Sequence, residues 1–311
     1  MNLSDLTFGV EIETATCAGL SRQQVAEAAA ARLGWTASWQ PGRYGREETI
    51  LQPGRSTPWV LRHDGSIRTP ENSQKCEVIS PVLRYPEDLE TLESVVRVVK
   101  TLATVNESCG LHVHVGAQDL SGPALGRLAA LWAAKEDLIY LAASTLAERQ
   151  YYCHKIGPAI QRADFRPTYH GDAIQQWDRV SNRYAGLNIG PALEAHRTVE
   201  FRLWNSTLHA GKIKAAVQFS LALVARAANI SRATNRSVRV QEGATKAAFR
   251  TFLRALGLDG PEFATLRHHL LKPLEGWSAW SSGKPPADWC QRHGRDGSGR
   301  AGRAPTGWAA V

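Results

Sequence analysis

The chain has 311 residues, of which 43% are hydrophobic and 21% are charged, as is usual for a soluble globular protein. Its formal net charge is +8, but the Lys and Arg residues form no long block, so the composition argues against nucleic-acid binding as the main function. The N-terminus lacks the basic and apolar regions of a signal peptide, and no apolar run reaches the roughly 20 residues of a membrane helix, so we expect no membrane partner.

Strand-like and helix-like segments alternate through about the first 230 residues. TFGVEIET (7–14) alternates apolar and polar residues, which predicts a strand. Ser21 followed by Gln24 gives the capping-box start of an Ala-rich helix. Gly and Pro residues crowd 41–58, which predicts a loop with one short strand at most. Further strands are predicted at 59–67, running into a turn at Asp64-Gly65, and at 75–83, 109–116, 183–191 and 196–205.

The predicted helices lie between and after these strands. Early acids and a late basic residue predict a helix with Pro86 in its first turn. A long helix is expected over about 121–144, and 209–231 has a strong amphipathic pattern, with further helical material to about residue 271. The mixed stretch 146–181, which contains YYCHK and FRPTYH, is predicted to form an excursion or lid.

The composition changes near residue 275, where Gly, Pro, Ser, Trp and Arg become dominant. We therefore predict one catalytic domain over 1–274, whose C-terminal part is helical, and a flexible tail over 275–311. Cys290 and His293 in the tail have half the spacing of a zinc site, without a second pair. The 5 cysteines are scattered and odd in number, which indicates free thiols and a cytoplasmic protein.

Charged residues recur on one face of four predicted strands, because side chains two residues apart share a face. A solvent-facing sheet would show the same alternation, but with more Lys, Thr, Ser and Gln. If the strands belong to one sheet, four carboxylates, two imidazoles and one guanidinium gather on one face. This set comprises Glu11, Glu13, Glu77, His112, His114, Glu200 and Arg202.

Carboxylates gathered so closely raise each other's pKa unless a cation lies among them. Carboxylate oxygens suit Mg²⁺ or Mn²⁺, and a nearby arginine suits phosphate oxygens. The combination predicts a nucleoside triphosphate held through its metal ions. The chain contains neither a P-loop motif nor a strand-linked G-x-G-x-x-G, so those nucleotide sites are not expected.

Four stretches occur in an order that resembles the amidoligase family, whose relatives include glutamine synthetase and the glutamate–cysteine ligases. They are FGVEIE, CEVISPVL, GLHVHVG and TVEFRLWNSTL, and the resemblance covers about residues 7 to 225. GLHVHV is similar to the Gly-x-His-x-His strand of glutamine synthetase, and VEFR to its Glu-x-Arg strand. The resemblance implies an α+β fold like the glutamine synthetase catalytic domain, in which a curved, mainly antiparallel sheet lines the active site and helices cover its outer face.

The resemblance also implies a reaction. ATP would phosphorylate a substrate carboxylate, and an amine would attack the acyl phosphate to form a peptide or isopeptide amide. The substrates would be a small-molecule or peptide carboxylate and an amine, with ATP and Mg²⁺ or Mn²⁺ as cofactors.

Residue roles follow from the same resemblance. His112 would support the ATP phosphate, and Arg202 would neutralise the transferring phosphoryl group. His114 and Asn188 are weaker candidates for nucleotide contact, and Asn188 has an equally good structural explanation. Asp64 would supply a further acid or hold the amine. The implied metal ligands are Glu11, Glu13, Glu77, His112 and Glu200.

Two other functions stay open at this point. A His-x-His strand also occurs in zinc- or iron-dependent hydrolases and oxygenases, which need further histidine ligands. Candidate histidines exist, but none has a matching spacing; they are His154, His170, His196 and His209. His268 and His269 are explained by the C-terminus of a helix. A nucleic-acid-binding or scaffold protein would show salt-dependent binding that weakens when 276–311 are deleted.

Overall fold

The structure is a computed structural model that describes residues 1–42, 47–180, 182–194, 197–237, 240 and 243–278. Within these ranges the chain is a mixed α/β protein with one large antiparallel sheet and a layer of helices. The strands are β1 (Thr7–Thr16), β2 (Thr36–Pro41), β3 (Glu47–Gln52), β4 (Trp59–Arg62), β5 (Lys75–Ile79), β6 (Leu83–Arg84), β7 (Ala103–Thr104), β8 (Gly110–Gly116), β9 (Leu187–Asn188) and β10 (Thr198–Asn205). The helices are α1 (Arg22–Leu33), α2 (Leu89–Val99), α3 (Gly122–Ala143), α4 (Gly157–Ala163), α5 (His170–Trp177), α6 (Gly190–Leu193), α7 (Ala210–Asn229), α8 (Thr245–Ala255) and α9 (Ala264–Leu271).

The strand order is β2-β3-β4-β5-β1-β8-β10-β9, and the short strands β6 and β7 also pair with β1. The four strands that carry charged residues therefore lie side by side, as the sequence predicts. Their register places Glu13 opposite Glu77, Glu11 opposite His112, and Glu200 opposite His114. Directly opposed residues share a face with side chains about 5 Å apart, so this register assembles the predicted polar face.

The opposite face of the sheet is apolar and packs against the helices. Its residues are buried together with those of α1, α2, α3 and α7 in one hydrophobic core. The members from the three central strands are Phe8, Val10, Ile12, Leu111, Val113, Val115, Val199, Phe201 and Leu203. The core thus fixes one side of each central strand, and every polar residue between these positions must point to the other side.

The helix α7 differs from the amphipathic helix that its sequence predicts. It contacts α2, α3 and α9, and its middle is buried nearly all round. Small and apolar residues on every side make this central position possible. The buried amide of Gln218 keeps a partner there, because its Nε2 donates to the Tyr85 hydroxyl at 3.2 Å.

Two further boundaries differ from the sequence prediction. Residues 41–58, predicted to be a loop with one short strand at most, contain one strand within the described ranges, β3, but it pairs as a hairpin with β2, which the sequence does not predict. Pro41 ends the edge strand β2, where proline is tolerated, and Leu51 of β3 is fully buried. Helix α2 begins at Leu89 rather than at Pro86, because the Asp88 carboxylate accepts from the Arg84 backbone N–H and closes a turn before the helix.

The C-terminal helices α8 and α9 contact each other, and α9 also contacts α7, so they extend the helical layer. No helix among the described residues combines the length and the apolar character needed to cross a membrane. The domain boundary at residue 274 stays a prediction. The predicted tail from residue 279 onward, including Cys290 and His293, lies outside the described residues.

Candidate active site

The polar face of the sheet is not a solvated surface. Glu13, Glu77, His112 and Glu200 are each at most 5% exposed. Glu13, Glu77 and His112 line a cleft of about 490 Å³, and Glu200 lies next to it, where it accepts from the cleft residue Arg202. The ionisable residues that line this cleft are Glu11, Glu13, Arg62, Asp64, Glu77, His112, Arg149, Tyr152, Arg183, Tyr184 and Arg202. Burial of so many ionisable groups is costly unless they pair with one another or with a ligand.

His112 lies at the centre of the buried carboxylates. Its Nδ1 is 3.0 Å from Glu11 Oε2 and 3.8 Å from Glu200 Oε1. Its Nε2 lies 3.6 Å from Glu13 Oε1 and has no hydrogen-bond partner in the part of the chain that the structure describes. A buried imidazole nitrogen without a partner, facing carboxylates, is suited to a metal ion.

Two sets of side chains could each hold a cation. Glu11, His112 and Glu200 form one set, and Glu13, Glu77 and His112 form the other, with ligand atoms within 4.8 Å of one another in each set. Together the sets contain all five residues that the sequence comparison implies as metal ligands. A neutral imidazole has only one free nitrogen, so His112 can serve one cation at a time.

The pKa values of the two carboxylates in the second set favour a bound cation. Burial and the nearby charge of Glu11 raise the pKa of Glu77 to about 8, although Arg62 Nε donates to Glu77 Oε2 at 2.6 Å. Burial also raises the pKa of Glu13. A divalent cation placed between these groups would favour their ionised forms and offset the repulsion between Glu77 and Glu11.

The carboxylates of the first set behave differently because they have basic neighbours. Burial acts to raise the pKa of Glu11, but hydrogen bonds with His112 and His114 outweigh it and hold the pKa well below its usual value. Burial likewise opposes ionisation of Glu200, but Arg202, His112 and His114 lower its pKa. These two carboxylates are therefore anionic near neutral pH and ready to bind a cation.

The raised pKa of Glu77 predicts a pH-dependent stability in metal-free protein. The folded protein keeps a proton on Glu77 that the unfolded chain releases, so the free energy of unfolding should fall as pH rises from 4.5 to about 8. Glu77→Gln should make this slope shallower, and Glu27→Gln, which changes an exposed carboxylate, should not. Urea unfolding across this pH range measures the slopes. Equal slopes in wild type and Glu77→Gln would contradict the assignment.

Arg149 is a buried site residue that sequence reasoning does not identify. It belongs to a short 3-10 helix (Ala147–Arg149), and its NH2 donates to the backbone carbonyl of Arg202 at 3.1 Å. Its NH1 lies 3.8 Å from Glu13 Oε2, the same oxygen that accepts from the Gly110 backbone N–H at 2.6 Å. Arg149 therefore links β10 to the Glu13 carboxylate of β1 and offsets the charge of Glu13.

Gly110 leaves the space that Arg149 occupies. A methyl group at this position would overlap the Arg149 guanidinium. Gly110→Ala should therefore lower the free energy of unfolding by about 1–3 kcal/mol, as overpacking at buried positions does. Gly65→Ala is the matched control, since a methyl group there meets no atom within 4 Å. Equal destabilisation of both variants in urea unfolding would show that the position of the Arg149 guanidinium does not require the missing side chain at Gly110.

Arg202 also lies in the cleft, with its side chain only 13% exposed. Its NH1 donates to Glu200 Oε1 at 2.5 Å, and its Nε lies 3.4 Å from the carbonyl of Tyr152. The guanidinium is thus held in place beside the set of Glu11, His112 and Glu200, which could hold a cation. Arg62, which the sequence analysis did not single out, flanks the second set; its alternation with buried Trp59 and Leu61 is the signal that would have identified it.

The other predicted residues are near the cleft in different ways. Asp64 lines it, and its Oδ1 accepts from the backbone N–H of Ser66 at 2.6 Å. Asn188 is buried behind Glu200 and donates to Glu200 Oε2 at 2.8 Å, while its carbonyl accepts from the Gly190 N–H at 3.0 Å. Both amide atoms of Asn188 are therefore engaged in positioning Glu200. Its predicted contact with the nucleotide stays a prediction.

His114 faces a second cleft, of about 630 Å³, on the same side of the sheet. Its Nε2 lies 3.5 Å from Glu11 Oε1, and its Nδ1 lies 3.5 Å from the Thr198 hydroxyl. Glu11 and Arg62 line both clefts, so these residues mark their boundary. Apolar residues supply much of the second cleft, among them Phe8, Val60, Ile79, Pro81 and Val82.

The segment that was expected to form a lid contributes only in part. Tyr152, from YYCHK, lines the first cleft beside Tyr184, with ring centroids 6.1 Å apart. FRPTYH does not line this cleft within the described residues. Instead, Pro167 and Tyr169 lie against Gly126 and Gly122 of α3. The second half of the segment therefore packs on the helical layer.

A zinc or iron hydrolase would need further histidine ligands, and the candidate histidines do not join the two ligand sets among the described residues. Among the described residues, both metal-ready sets contain His112 as their only histidine. His154 and His170 belong to neither set, His209 lies at the start of α7, and His196 is outside the described residues.

Comparison with known proteins agrees with the motifs. No curated protein matches the chain closely. The family model of the amidoligase enzymes, Amidoligase_2, matches residues 4–224, which include every strand of the site and all of its predicted residues. This match covers well over half of the chain, so the protein belongs to the amidoligase enzyme family.

Proposed function

We propose that the protein is an ATP-dependent carboxylate–amine ligase that forms a peptide or isopeptide amide through an acyl phosphate. The observation that carries this proposal is that two carboxylate sets, each able to hold a cation, lie beside Arg202, which lines the cleft and is fixed by Glu200. Phosphoryl transfer depends on positioning and charge neutralisation more than on a protein nucleophile. A fold like the glutamine synthetase catalytic domain is part of the same proposal.

The carboxylates of the two sets would hold Mg²⁺ or Mn²⁺, which bind phosphate oxygens and offset their charge. We assign His112 to the set with Glu13 and Glu77, since its Nδ1 already contacts Glu11 at 3.0 Å, whereas its Nε2 faces Glu13 and has no partner among the described residues. Glu11 and Glu200 would then hold the other cation, and Asp64, which lines the same cleft, would complete the set of Glu13 and Glu77 or hold the incoming amine.

Arg202 would neutralise charge on the γ-phosphoryl group as it passes to the substrate carboxylate. Glu200 and the Tyr152 carbonyl already fix its guanidinium, so little reorganisation is needed at the moment of transfer. Tyr152 and Tyr184 form a wall of the cleft that would keep water from the acyl phosphate. Glu11 and Arg62 line both this cleft and the second cleft of about 630 Å³. We assign the second cleft, which has a largely apolar lining, to the nucleotide base.

The described cysteines are free thiols, which supports a cytoplasmic setting for this reaction, because a reducing compartment keeps thiols reduced.

The proposal is tested by coupled release of ADP and phosphate. Purified protein with Mg²⁺ and ATP should release ADP only when a carboxylate and an amine are both present, and hydroxylamine should replace the amine and yield a hydroxamate. A panel of amino acids, peptides and cell-wall fragments supplies the carboxylates. Metal analysis of the same preparation is the companion measurement: stoichiometric zinc or iron, with no effect of ATP, would overturn the proposal in favour of the hydrolase or oxygenase class.

A further inference from the structure

A third cleft, of about 940 Å³, lies on the helical side of the sheet. It opens between the start of α7 and the end of α9, and the buried residues Leu111 and Trp204 of the sheet also line it. Its ionisable lining is entirely basic among the described residues. We call it the basic cleft, defined by His209, Lys212, His268, His269 and Lys272.

The positive charge at the start of α7 is unfavourable for the helix itself. His209 is the N-cap residue, its Nδ1 accepts from the Lys212 backbone N–H at 3.4 Å, and the first turn contains no acidic residue. A helix N-terminus carries partial positive charge and prefers acidic neighbours. The C-terminus of α9 accounts for His268 and His269, but it does not account for His209 and Lys212.

Among the described residues, the members of the basic cleft form no ion pair with an acidic side chain. Within the described ranges, neither Lys212 nor Lys272 forms an ion pair, whereas Lys214, on the same helix, lies 3.4 Å from Glu93. The ring centroid of His269 is 4.9 Å from that of His209 and 5.1 Å from that of His268. Burial and the neighbouring basic residues, which include Lys212 and Lys272, lower the pKa of His269 to about 4. The cleft thus has a positive potential that nothing in the described residues neutralises.

A metal ion is a poorer occupant than an anion. The three imidazoles lie near one another, but their nitrogen atoms are not among the groups that converge closely enough to share a cation. The buried Trp204 indole Nε1, which can only donate, has no partner in the described part of the chain and belongs to a residue that lines this cleft. Lysine, imidazole and indole N–H groups beside a helix N-terminus match the oxygens of a phosphate.

We propose that the basic cleft is a second ligand site, which binds a multiply charged phosphate-type oxyanion away from the active site. Lys212 and Lys272 would supply its charge, and His209 and His269 would donate hydrogen bonds to its oxygens. This proposal does not depend on the ligase reaction, because none of these residues lines either cleft on the polar face of the sheet.

The test is calorimetric titration of inorganic pyrophosphate into the full chain at low salt without divalent metal. Wild type should bind one pyrophosphate, and the double variant Lys212→Gln/Lys272→Gln should bind it about tenfold or more weakly. Lys100→Gln/Lys246→Gln removes the same charge elsewhere and should stay within about twofold of wild type.

The active site offers a competing explanation, which Arg202→Ala separates. Pyrophosphate binding that survives Arg202→Ala and weakens in Lys212→Gln/Lys272→Gln supports the basic cleft. Binding that is lost in Arg202→Ala, or is unchanged in the lysine variant, would overturn the proposal. Zinc binding that Lys212→Gln/Lys272→Gln leaves intact, without any pyrophosphate binding, would overturn it as well.

Discussion

Arg202→Ala should lower kcat of the ligase reaction about a thousandfold or more while the protein stays folded. Arg202 is the guanidinium that Glu200 and the Tyr152 carbonyl hold beside the first metal-ready set. Without it, charge on the transferring phosphoryl group would lose its fixed partner. The KM for ATP should change much less than kcat, since the metal ions and the apolar cleft would still bind the nucleotide. Steady-state release of ADP measures both constants.

Two controls make the result specific. Arg202→Lys keeps the charge but loses the planar fork, so we expect an intermediate loss of kcat. Arg183→Ala removes an arginine from the exposed part of the same cleft and should cost much less. Thermal unfolding of each variant checks that the fold is retained. A kcat for Arg202→Ala within tenfold of wild type would remove Arg202 from the chemical step.

Metal binding should separate the two carboxylate sets. We expect wild type to bind two Mn²⁺ ions, one at Glu11 and Glu200 and one at Glu13, Glu77 and His112, because the ligand atoms of these residues converge in two sets. Glu200→Gln should remove one ion, Glu77→Gln should remove the other, and each should lower turnover at least about a hundredfold. Both should also reduce the thermal stabilisation that Mn²⁺ gives, since an ion bound only to the folded state stabilises it.

Electron paramagnetic resonance of free Mn²⁺ counts the ions bound by each variant. His112→Gln should lose the ion shared with Glu13 and Glu77 and keep the one at Glu11 and Glu200, because a neutral imidazole serves one cation and its free Nε2 faces Glu13. Glu107→Gln, a change in an exposed surface carboxylate, should keep both ions. If Glu77→Gln and Glu200→Gln both retain two ions of unchanged affinity, the carboxylates are not the ligands.

The polar face of the sheet could be predicted from sequence because strand residues alternate with a period of two. Glu11 and Glu13 alternate with Val10 and Ile12, so their side of β1 follows directly. The register between strands could not be obtained in this way. The opposition of Glu11 to His112 depends on pairing between residues about a hundred positions apart. Alternation alone does not say which strands pair. The order of the four motifs, through the family resemblance, indicates that these strands belong to one sheet.

Neither strand alternation nor the family resemblance predicts Arg149 as a site residue. It lies in a short 3-10 helix with no hydrophobic period, and its place over Gly110 is a tertiary contact between distant segments. The β2–β3 hairpin was missed for a different reason. Pro41 and Gly42 indicate a break in the chain, yet an edge strand tolerates proline at its end, and burial of Leu51 favours the pairing.

Transfer of ¹⁸O tests the central claim most directly, once the hydroxylamine assay has identified a carboxylate that supports ADP release. The substrate carboxylate is labelled with ¹⁸O, and the released phosphate is analysed by mass spectrometry. If the carboxylate attacks the γ-phosphoryl group, one labelled oxygen should appear in phosphate for each amide formed, and ADP should be the nucleotide product. Unlabelled phosphate, or label in AMP instead, would contradict the acyl-phosphate ligase.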